Sequence, residues 1–300
     1  MTAQHIVIDR TASDQRIDNF LIKTMKGVPH SRLYKAIRKG EVRVNKGRVQ
    51  ASYRLKIGDI VRLPPLRVAD RDMRKPSASL RACLQKSILF ENDDVMILNK
   101  PAGLSVHGGS EVPCGLIDAL RDMYPNLDLA LAHRLDRDTS GCLLIAKNRS
   151  ALLAFQAAQK NQAIEKTYFL LVKGAWTRGR QHVKLALLKN ELKSGERMVV
   201  VDAEAGKPAE TIFEPVEIRE KVTCLRAQLV TGRTHQIRVH AQALGFPILG
   251  DTKYGDRAFN QVCGAKRLFL HAEQLRLILP GTKKPFTVKA PLPDEFATMR

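Results

Sequence analysis

Short apolar runs follow one another through most of the chain after residue 88, and they constrain its fold more than any other feature. Strand-like runs lie at 88–90, 95–98, 142–146, 167–172, 197–201, 211–218, 222–230, 267–278 and 286–289. Helical patterns are fewer, as at 115–123 and 151–159, and they do not alternate regularly with the strands. A Rossmann fold or a TIM barrel needs that alternation. We therefore predict the α+β class, with a mixed, mainly antiparallel sheet.

The positive charge of the chain is concentrated before these strands. Lys and Arg number 50 against 30 Asp and Glu, which gives a formal net charge of +20. Residues 1–86 contain 20 of the basic residues and only 7 of the acidic ones. Neutralising phosphates is the main source of non-specific affinity for nucleic acids, so this segment is a candidate RNA- or DNA-docking module. The alternative is a basic surface that serves only solubility.

The basic segment has the pattern of a small folded unit. Ile17, Phe20 and Leu21 have helical spacing, and a second short helix runs from Arg32 to a stop at Gly40. On the second helix Leu33 and Ile37 face one way, while Arg32, Lys35 and Lys39 face another. A hairpin follows, from Val42 through a Lys46-Gly47 turn to Val49. We predict a compact helix-helix-hairpin unit with one basic face.

Composition sets the domain boundaries and excludes several classes of protein. Pro64-Pro65, Pro76-Ser-Ala-Ser and the basic residues between them indicate a linker over 65–86, between a small domain at 1–64 and a large one at 87–300. No apolar run approaches the ~18 residues of a membrane span, and no signal-peptide pattern opens the chain, so we expect a cytoplasmic protein. Five cysteines without a CxxC pair indicate neither zinc nor disulfides. No phosphate loop or GxGxxG motif points to a nucleotide cofactor.

The densest polar cluster of the large domain is HRLDRDTSG at 133–141, between two apolar strands. Three interpretations are open. The cluster is a structural turn, or Asp136, Asp138 and His133 form a metal site, or an aspartate flanked by Arg134 and Arg137 does nucleophilic or acid-base work. The metal site lacks a convincing complement of further acidic residues or histidines.

Two further motifs carry candidate site residues, and for the first of them the alternative is a polar cap on a surface helix with a histidine satisfied in the core. In TGRTHQIRVH (231–240), Thr234 can cap a helix that places His235 and Arg238 on one face. Arg233, just before this helix, is the better placed arginine for pairing with a carboxylate from another loop. Tyr168 lies at a strand entry in KTYFLLVKG (166–174), where a lone tyrosine is usually part of a core or an interface.

Taken in chain order, HRLDRDTSG (133–141), KTYFLLVKG (166–174) and TGRTHQIRVH (231–240) resemble the signature motifs of the RluA-type pseudouridine synthases. The resemblance extends to Asn99-Lys-Pro-Ala-Gly103, Tyr254-Gly255-Asp256 and Leu268-Phe-Leu-His271-Ala272, and so covers about 88–290. Residues 14–64 resemble the S-four RNA-binding domain, through Arg16-Ile-Asp-Asn-Phe-Leu, Ile37-Arg-Lys-Gly40 and Gly58-Asp59.

The resemblance implies an isomerase that converts specific uridines of large-subunit ribosomal RNA to pseudouridine. The uridine must leave the RNA helix for a pocket. By resemblance, Asp136 is the essential catalytic residue, Arg233 is its ion partner, and Tyr168 packs on the base and is a candidate for the C5 proton transfer. Whether Asp136 attacks C6, attacks C1′ or assists an elimination stays open. Arg134 is expected to insert where the base leaves. The expected RNA contacts of the small domain are Arg32, Lys35, Arg38 and Lys39. The family implies no cofactor and no metal, and we expect a monomer.

Two other functions fit parts of the sequence. A non-catalytic ribosome-assembly factor would use the same fold and charge, but binding alone does not need the set Asp136, Tyr168 and Arg233. A metal-dependent nuclease would need an acidic cluster, which the sequence lacks.

Overall fold

The computed structural model describes residues 3–25, 28, 30–65, 75–108, 114–191 and 197–299. The chain divides into two compact units, Met1–Met73 and Arg74–Arg300. None of the helices in the described part of the chain has the length and apolar content that a bilayer crossing requires.

The first unit packs two helices against a three-stranded antiparallel sheet with the order β1-β3-β2. Its elements are β1 (Gln4–Val7), α1 (Ile17–Thr24), α2 (His30–Lys39), β2 (Arg43–Val44) and β3 (Ile60–Leu63). The predicted apolar faces meet in one core, where Ile17, Leu21, Leu33 and Ile37 are at most 4% exposed. The pair of helices is therefore confirmed.

The predicted hairpin of this unit takes a different form. Strand β2 pairs with β3, and on the Val49 side only an isolated bridge joins Val44 to Gly47. The chain after the Lys46 turn bonds instead with the start of α1, where Ile17 N donates to Tyr53 O (2.8 Å). That bond takes the segment away from β2.

A ten-stranded sheet forms the framework of the second unit. The strands of this unit are β4 (Ile88–Glu91), β5 (Val95–Lys100), β6 (Ala130–Leu131), β7 (Ser140–Ala146), β8 (Glu165–Lys173), β9 (Gln181–Lys184), β10 (Leu187–Glu191), β11 (Arg197–Val201), β12 (Glu210–Ile218), β13 (Val222–Leu229), β14 (Leu270–Ile278) and β15 (Pro285–Lys289). In the large sheet the strand order is β4-β5-β7-β14-β8-β13-β12-β9, and in addition β6 pairs with β7 and β15 pairs with β14. Strands β10 and β11 form a separate two-stranded sheet. Among the described pairings of the large sheet only β7 with β14 is parallel. The predicted mixed, mainly antiparallel α+β architecture is confirmed.

The centre of this sheet requires a glycine. Every residue of β7 is buried, as expected for a strand covered on both faces. Gly141 has φ +106°, and a Cβ at this position would lie only 2.3 Å from Ala272 O of β14. Only glycine therefore allows the two strands to approach at the point where the HRLDRDTSG motif enters the sheet.

Within its described residues, the second unit has six helices: α3 (Ala78–Lys86), α4 (Leu116–Met123), α5 (Arg149–Lys160), α6 (Gln236–Ala243), α7 (Arg257–Val262) and α8 (Glu295–Thr298). Helix α3 lies inside the predicted linker 65–86, of which 66–74 are outside the described residues. Ser77 Oγ caps α3 by accepting from Leu80 N, and Leu84 is fully buried in the large core. The end of the segment predicted as linker therefore belongs to the second unit, because an apolar side chain anchors it there.

Candidate active site

The three sequence motifs meet at a pocket of about 190 Å³ in the second unit. The loop between β6 and β7, strand β8 and the start of α6 form its walls. Asp136, Tyr168, Arg233 and Arg134, the residues predicted for this domain, all line the pocket, together with His133, Lys166, His235 and Arg238.

Buried bonds from neighbouring strands hold the loop that carries Asp136. The backbone N–H of Leu144 on β7 donates to His133 Nε2 at 3.1 Å, so this nitrogen is unprotonated and engaged. The fully buried Lys100 donates from Nζ to three carbonyl oxygens, those of Pro101, Leu104 and Arg137, each at 2.8 Å. Burial lowers the pKa of Lys100 to about 7, although the negative charges of Asp138 and Asp136 act to raise it. Lys100 thus joins the Asn99-Lys-Pro-Ala-Gly103 turn to the loop.

The end of the loop is held to β14. Ser140 Oγ donates to His271 Nδ1 (2.8 Å), because His271 Nε2 is within 3.3 Å of the carbonyl oxygen of Ala290 and carries the proton. Arg267 donates to the same Oγ at 2.6 Å. The imidazole of His271 is fully buried, and that burial lowers its pKa.

The carboxylate of Asp136 faces Arg238 across the pocket. Arg238 Nη1 lies 3.5 Å from Asp136 Oδ2, and the Asp136 side chain is 19% exposed. The guanidinium is held from behind by Asp251, through Nε to Oδ2 and Nη2 to Oδ1, both at 2.7 Å. Burial acts to raise the pKa of Asp251, but hydrogen bonds from Arg238 and its charge outweigh burial and hold that pKa below its usual value.

Arg233 occupies a different position from the one that the sequence predicts. Its Nε donates to the carbonyl oxygen of Pro208 at 3.1 Å, and the residue is exposed at the pocket rim. The reason is the loop before α6, where Gln236 Oε1 accepts from Arg233 N (3.0 Å) and from Thr231 Oγ1 (2.7 Å). This loop turns Arg233 outward, whereas Arg238, in the first turn of α6, points into the pocket.

His235 lies between Asp136 and a buried tyrosine. Its Nε2 is 3.8 Å from Asp136 Oδ2, and its Nδ1 is 2.8 Å from the hydroxyl of Tyr254. The residue caps α6 with φ +54°, where the predicted cap was Thr234. Burial lowers the pKa of His235, while the charge of Asp136 opposes that shift.

Tyr168 and Lys166 form the strand wall of the pocket. Burial raises the pKa of the Tyr168 phenol, and the negative charge of Asp136 raises it further, so the hydroxyl is protonated at neutral pH. Burial lowers the pKa of Lys166 to about 8, and its Nζ donates to Gln159 Oε1 (3.3 Å). Two residues apart on β8, both side chains face the same side of the sheet.

The site does not have the geometry of the metal centre considered from the sequence. In the part of the chain that the structure describes, no group of three or more His, Cys, Asp and Glu is placed to hold a metal ion. His133 Nε2 is taken by Leu144 N, and Asp138 turns to Arg137 at 3.1 Å on the surface.

The basic face of the first unit lies on α2. Lys35 and Lys39 are exposed, as the spacing predicts, and so is Arg38, which the resemblance implies. Arg32 differs, because its Nη2 pairs with Glu41 Oε2 at 2.8 Å and its Nη1 is buried without a hydrogen-bond partner. Arg32 is therefore partly engaged within its own unit.

Known proteins match both parts of the chain. Residues 94–243 match the family described as RNA pseudouridylate synthase, and residues 15–61 match the S4 domain. Ribosomal large subunit pseudouridine synthase C of Pasteurella multocida (strain Pm70) is 48% identical over 296 residues, which cover 97% of this chain and 90% of that protein. The protein of the same name from Escherichia coli (strain K12) is 47% identical over 297 residues, covering 96% and 93%.

The chain belongs to the RNA pseudouridylate synthase family.

A solved structure agrees with this membership. Human RNA pseudouridylate synthase domain containing 1 superposes with a TM-score of 0.58 at 28% identity, over 69% of this chain and 83% of that one. Residues of all three sequence motifs line the pocket, whereas several residues that support it had no role in the sequence analysis. Lys100, Tyr254 and His271 lie in the shorter matching motifs, and Asp251 lies three residues before Tyr254. Of these four, only His271 gave the sequence signal of a polar residue inside an apolar run.

Proposed function

We propose that this protein converts uridine to pseudouridine in large-subunit ribosomal RNA. The reaction breaks the N1–C1′ bond, turns the uracil and rejoins it through C5. The observation that carries the proposal is the placement of Asp136 beside Arg238 in the same pocket as the buried Tyr168. The choice of large-subunit ribosomal RNA as the substrate rests on the similar proteins, which are named ribosomal large subunit pseudouridine synthase C.

Asp136 performs the central step of this proposal. Attack at C6, attack at C1′ and assisted elimination all need a carboxylate oxygen that reaches a flipped nucleotide in the pocket. Asp136 has that access, since its side chain is 19% exposed and lines the pocket. Arg238 provides a fixed positive charge beside Oδ2.

Tyr168 stacks on the uracil and keeps the base in the pocket. To remove the C5 proton, Tyr168 would have to be a phenolate. Burial and the negative charge of Asp136 both raise the pKa of Tyr168, so they disfavour that form. We therefore assign a packing role to this neutral phenol. It can donate a hydrogen bond, and the raised pKa disfavours the phenolate that accepting the C5 proton would need.

The remaining cations contact RNA. Arg134 is exposed at the pocket, in a position to fill the space that the flipped base leaves. Arg233, which the structure turns away from Asp136, is assigned to a phosphate near the pocket. In the first unit Lys35, Arg38 and Lys39 dock RNA electrostatically, and Arg32 contributes less because Glu41 neutralises it.

The decisive experiment incubates the protein with unmodified large-subunit RNA, without metal or nucleotide, and maps pseudouridine by carbodiimide-dependent stops of reverse transcription. Asp136→Asn should form no product. Asp138→Asn is the matched control, because it makes the same change two residues away, on an exposed carboxylate that pairs with Arg137. If the wild-type protein binds the RNA but forms no pseudouridine, the result would favour a non-catalytic assembly factor. Cleavage of the RNA strand that depends on a divalent metal would favour a nuclease.

The docking role has its own measurement. Replacing Lys35, Arg38 and Lys39 with Gln should weaken RNA binding and flatten its dependence on salt, by about 0.7–0.9 in the logarithmic slope for each phosphate that the variant no longer neutralises. Arg54→Gln is the control, since Arg54 already pairs with Asp14 at 3.3 Å. An unchanged slope in the triple variant would place the docking charge elsewhere.

A further inference from the structure

A chain of hydrogen-bonding groups runs from strand β11 to the catalytic carboxylate. The backbone N–H of Val199 donates to the Tyr254 hydroxyl at 2.9 Å, and that hydroxyl lies 2.8 Å from His235 Nδ1. On the other side of the imidazole, Nε2 lies 3.8 Å from Asp136 Oδ2. Neither Tyr254 nor His235 has a role in the mechanism proposed above.

The geometry sets the proton positions along this chain. The Tyr254 oxygen accepts from Val199 N, so its own proton is free to point at His235 Nδ1. Nδ1 is then the acceptor of the neutral imidazole, and the ring proton is on Nε2, the nitrogen that faces Asp136. A rotation of the ring that shortens the distance by about 1 Å would make this an ordinary hydrogen bond.

The backbone at His235 is strained in a way that serves this placement. Its φ of +54° lies in the left-handed region, which is unfavourable for a non-glycine residue. Outliers of this kind persist where the surroundings determine them and cluster at functional sites. Here Gln236 and Tyr254 hold the turn from both sides.

We propose that His235 is a positioning residue: it directs its Nε2–H at Asp136, and the Tyr254 hydroxyl selects the tautomer that places the proton there. The proposal deepens the proposed function and rests on it. A donor at this point orients Asp136 Oδ2 for the reacting atom of the base, in addition to the charge of Arg238 from a second direction.

Two substitutions at His235 separate this role from a structural one. In His235→Gln the side-chain amide nitrogen reaches the position of Nε2 and still donates to Asp136. In His235→Asn the amide ends near the position of Nδ1 and cannot reach. Asn is also the residue that best tolerates the left-handed conformation, so His235→Asn should fold at least as well as His235→Gln.

The test measures single-turnover pseudouridine formation by both variants, with thermal unfolding as the fold control. We expect His235→Gln to stay within about threefold of wild type and His235→Asn to lose about tenfold or more, the rate equivalent of a hydrogen bond to a charged group. Equal rates for the two variants would overturn the proposal. Wild type is measured in the same assay, so the absence of product there would count against the proposed function instead.

The tautomer is read directly from the ¹⁵N shifts of His235 at pH 7.5. Wild type should show a protonated Nε2 and an unprotonated Nδ1. Tyr254→Phe keeps the ring and removes the hydroxyl, so the Nδ1–H form should appear and the turnover rate should fall. A wild-type imidazole with its proton on Nδ1 would also overturn the proposal.

Discussion

Replacing Asp251 with Asn tests whether a buried carboxylate holds the guanidinium that faces Asp136. The Asp251 side chain is 0% exposed and that of Arg238 is 5% exposed, and two bonds of 2.7 Å join them. Asn has the same size, but it removes the negative charge and turns one acceptor oxygen into a donor opposite another donor. Neutralising one partner of a buried pair costs about 3–5 kcal/mol, because the other charge stays buried.

That cost is a large part of the free energy of unfolding of a typical domain, about 5–15 kcal/mol. Urea unfolding of the full chain measures it. The matched control is Glu217→Gln, which makes the same change in the exposed pair with Arg219, whose side chains are 40% and 47% exposed. Exposed pairs contribute about 0–1 kcal/mol, so the control should unfold close to wild type.

The same variant has a pH signature and an effect on turnover. The pKa of Asp251 is lowered in the fold, so its stabilising contribution is present above the unfolded value of about 3.9 and is lost as the pH falls through the folded value. The stability gap between wild type and Asp251→Asn should therefore narrow in acid. Arg238 loses its anchor, so pseudouridine formation should also slow. A loss under about 1 kcal/mol with unchanged turnover would refute the reasoning.

Three further predictions concern the supports of the site. Gly141→Ala should lower the free energy of unfolding by about 1–3 kcal/mol more than Gly179→Ala, since its Cβ would meet Ala272 O at 2.3 Å. Gly179 also has positive φ but nothing within 4 Å, so its substitution should cost only about 1–2 kcal/mol, and equal losses in urea unfolding would contradict the close-approach argument. Burial lowers the pKa of His240 and His271, so below pH ~6.5 the unfolded chain binds more protons than the folded chain. The free energy of unfolding should therefore fall there by up to about 1.4 kcal/mol per pH unit for each histidine. Urea unfolding at pH 7.5, 6.5 and 5.5 measures this fall, and a free energy of unfolding that does not change with pH would contradict it. Burial lowers the pKa of Lys166 to about 8, so Lys166→Met should stabilise the fold at pH 7.5 by up to about 3 kcal/mol. For the same reason the stability of wild type should rise between about pH 8 and 10.4. A Lys166→Met variant that calorimetry finds less stable than wild type would contradict the expected gain.

Short-range patterns predicted the elements of the site because each depends on few neighbours. The apolar run at 167–172 predicted the strand β8, which carries Tyr168. Helical spacing placed His235 and Arg238 on the same side of α6, where both now face Asp136. The same spacing put Lys35 and Lys39 on the exposed side of α2, whereas Arg38, which is also exposed, was implied only by the resemblance. Boundaries were predicted less exactly, as at α5, which begins at Arg149 under an Asn148 cap, two residues before the predicted start at 151.

Sequence alone determined the α+β class, the split between a basic front unit and a strand-rich second unit, and the motifs that line the pocket. Tertiary structure decided which arginine meets Asp136, because that choice depends on Gln236 turning Arg233 outward and on Asp251 receiving Arg238. It also decided that Lys100 supports the loop through three carbonyl oxygens. Spacing along one element fixes directions within that element, whereas contacts between elements depend on side-chain bonds that no local pattern encodes.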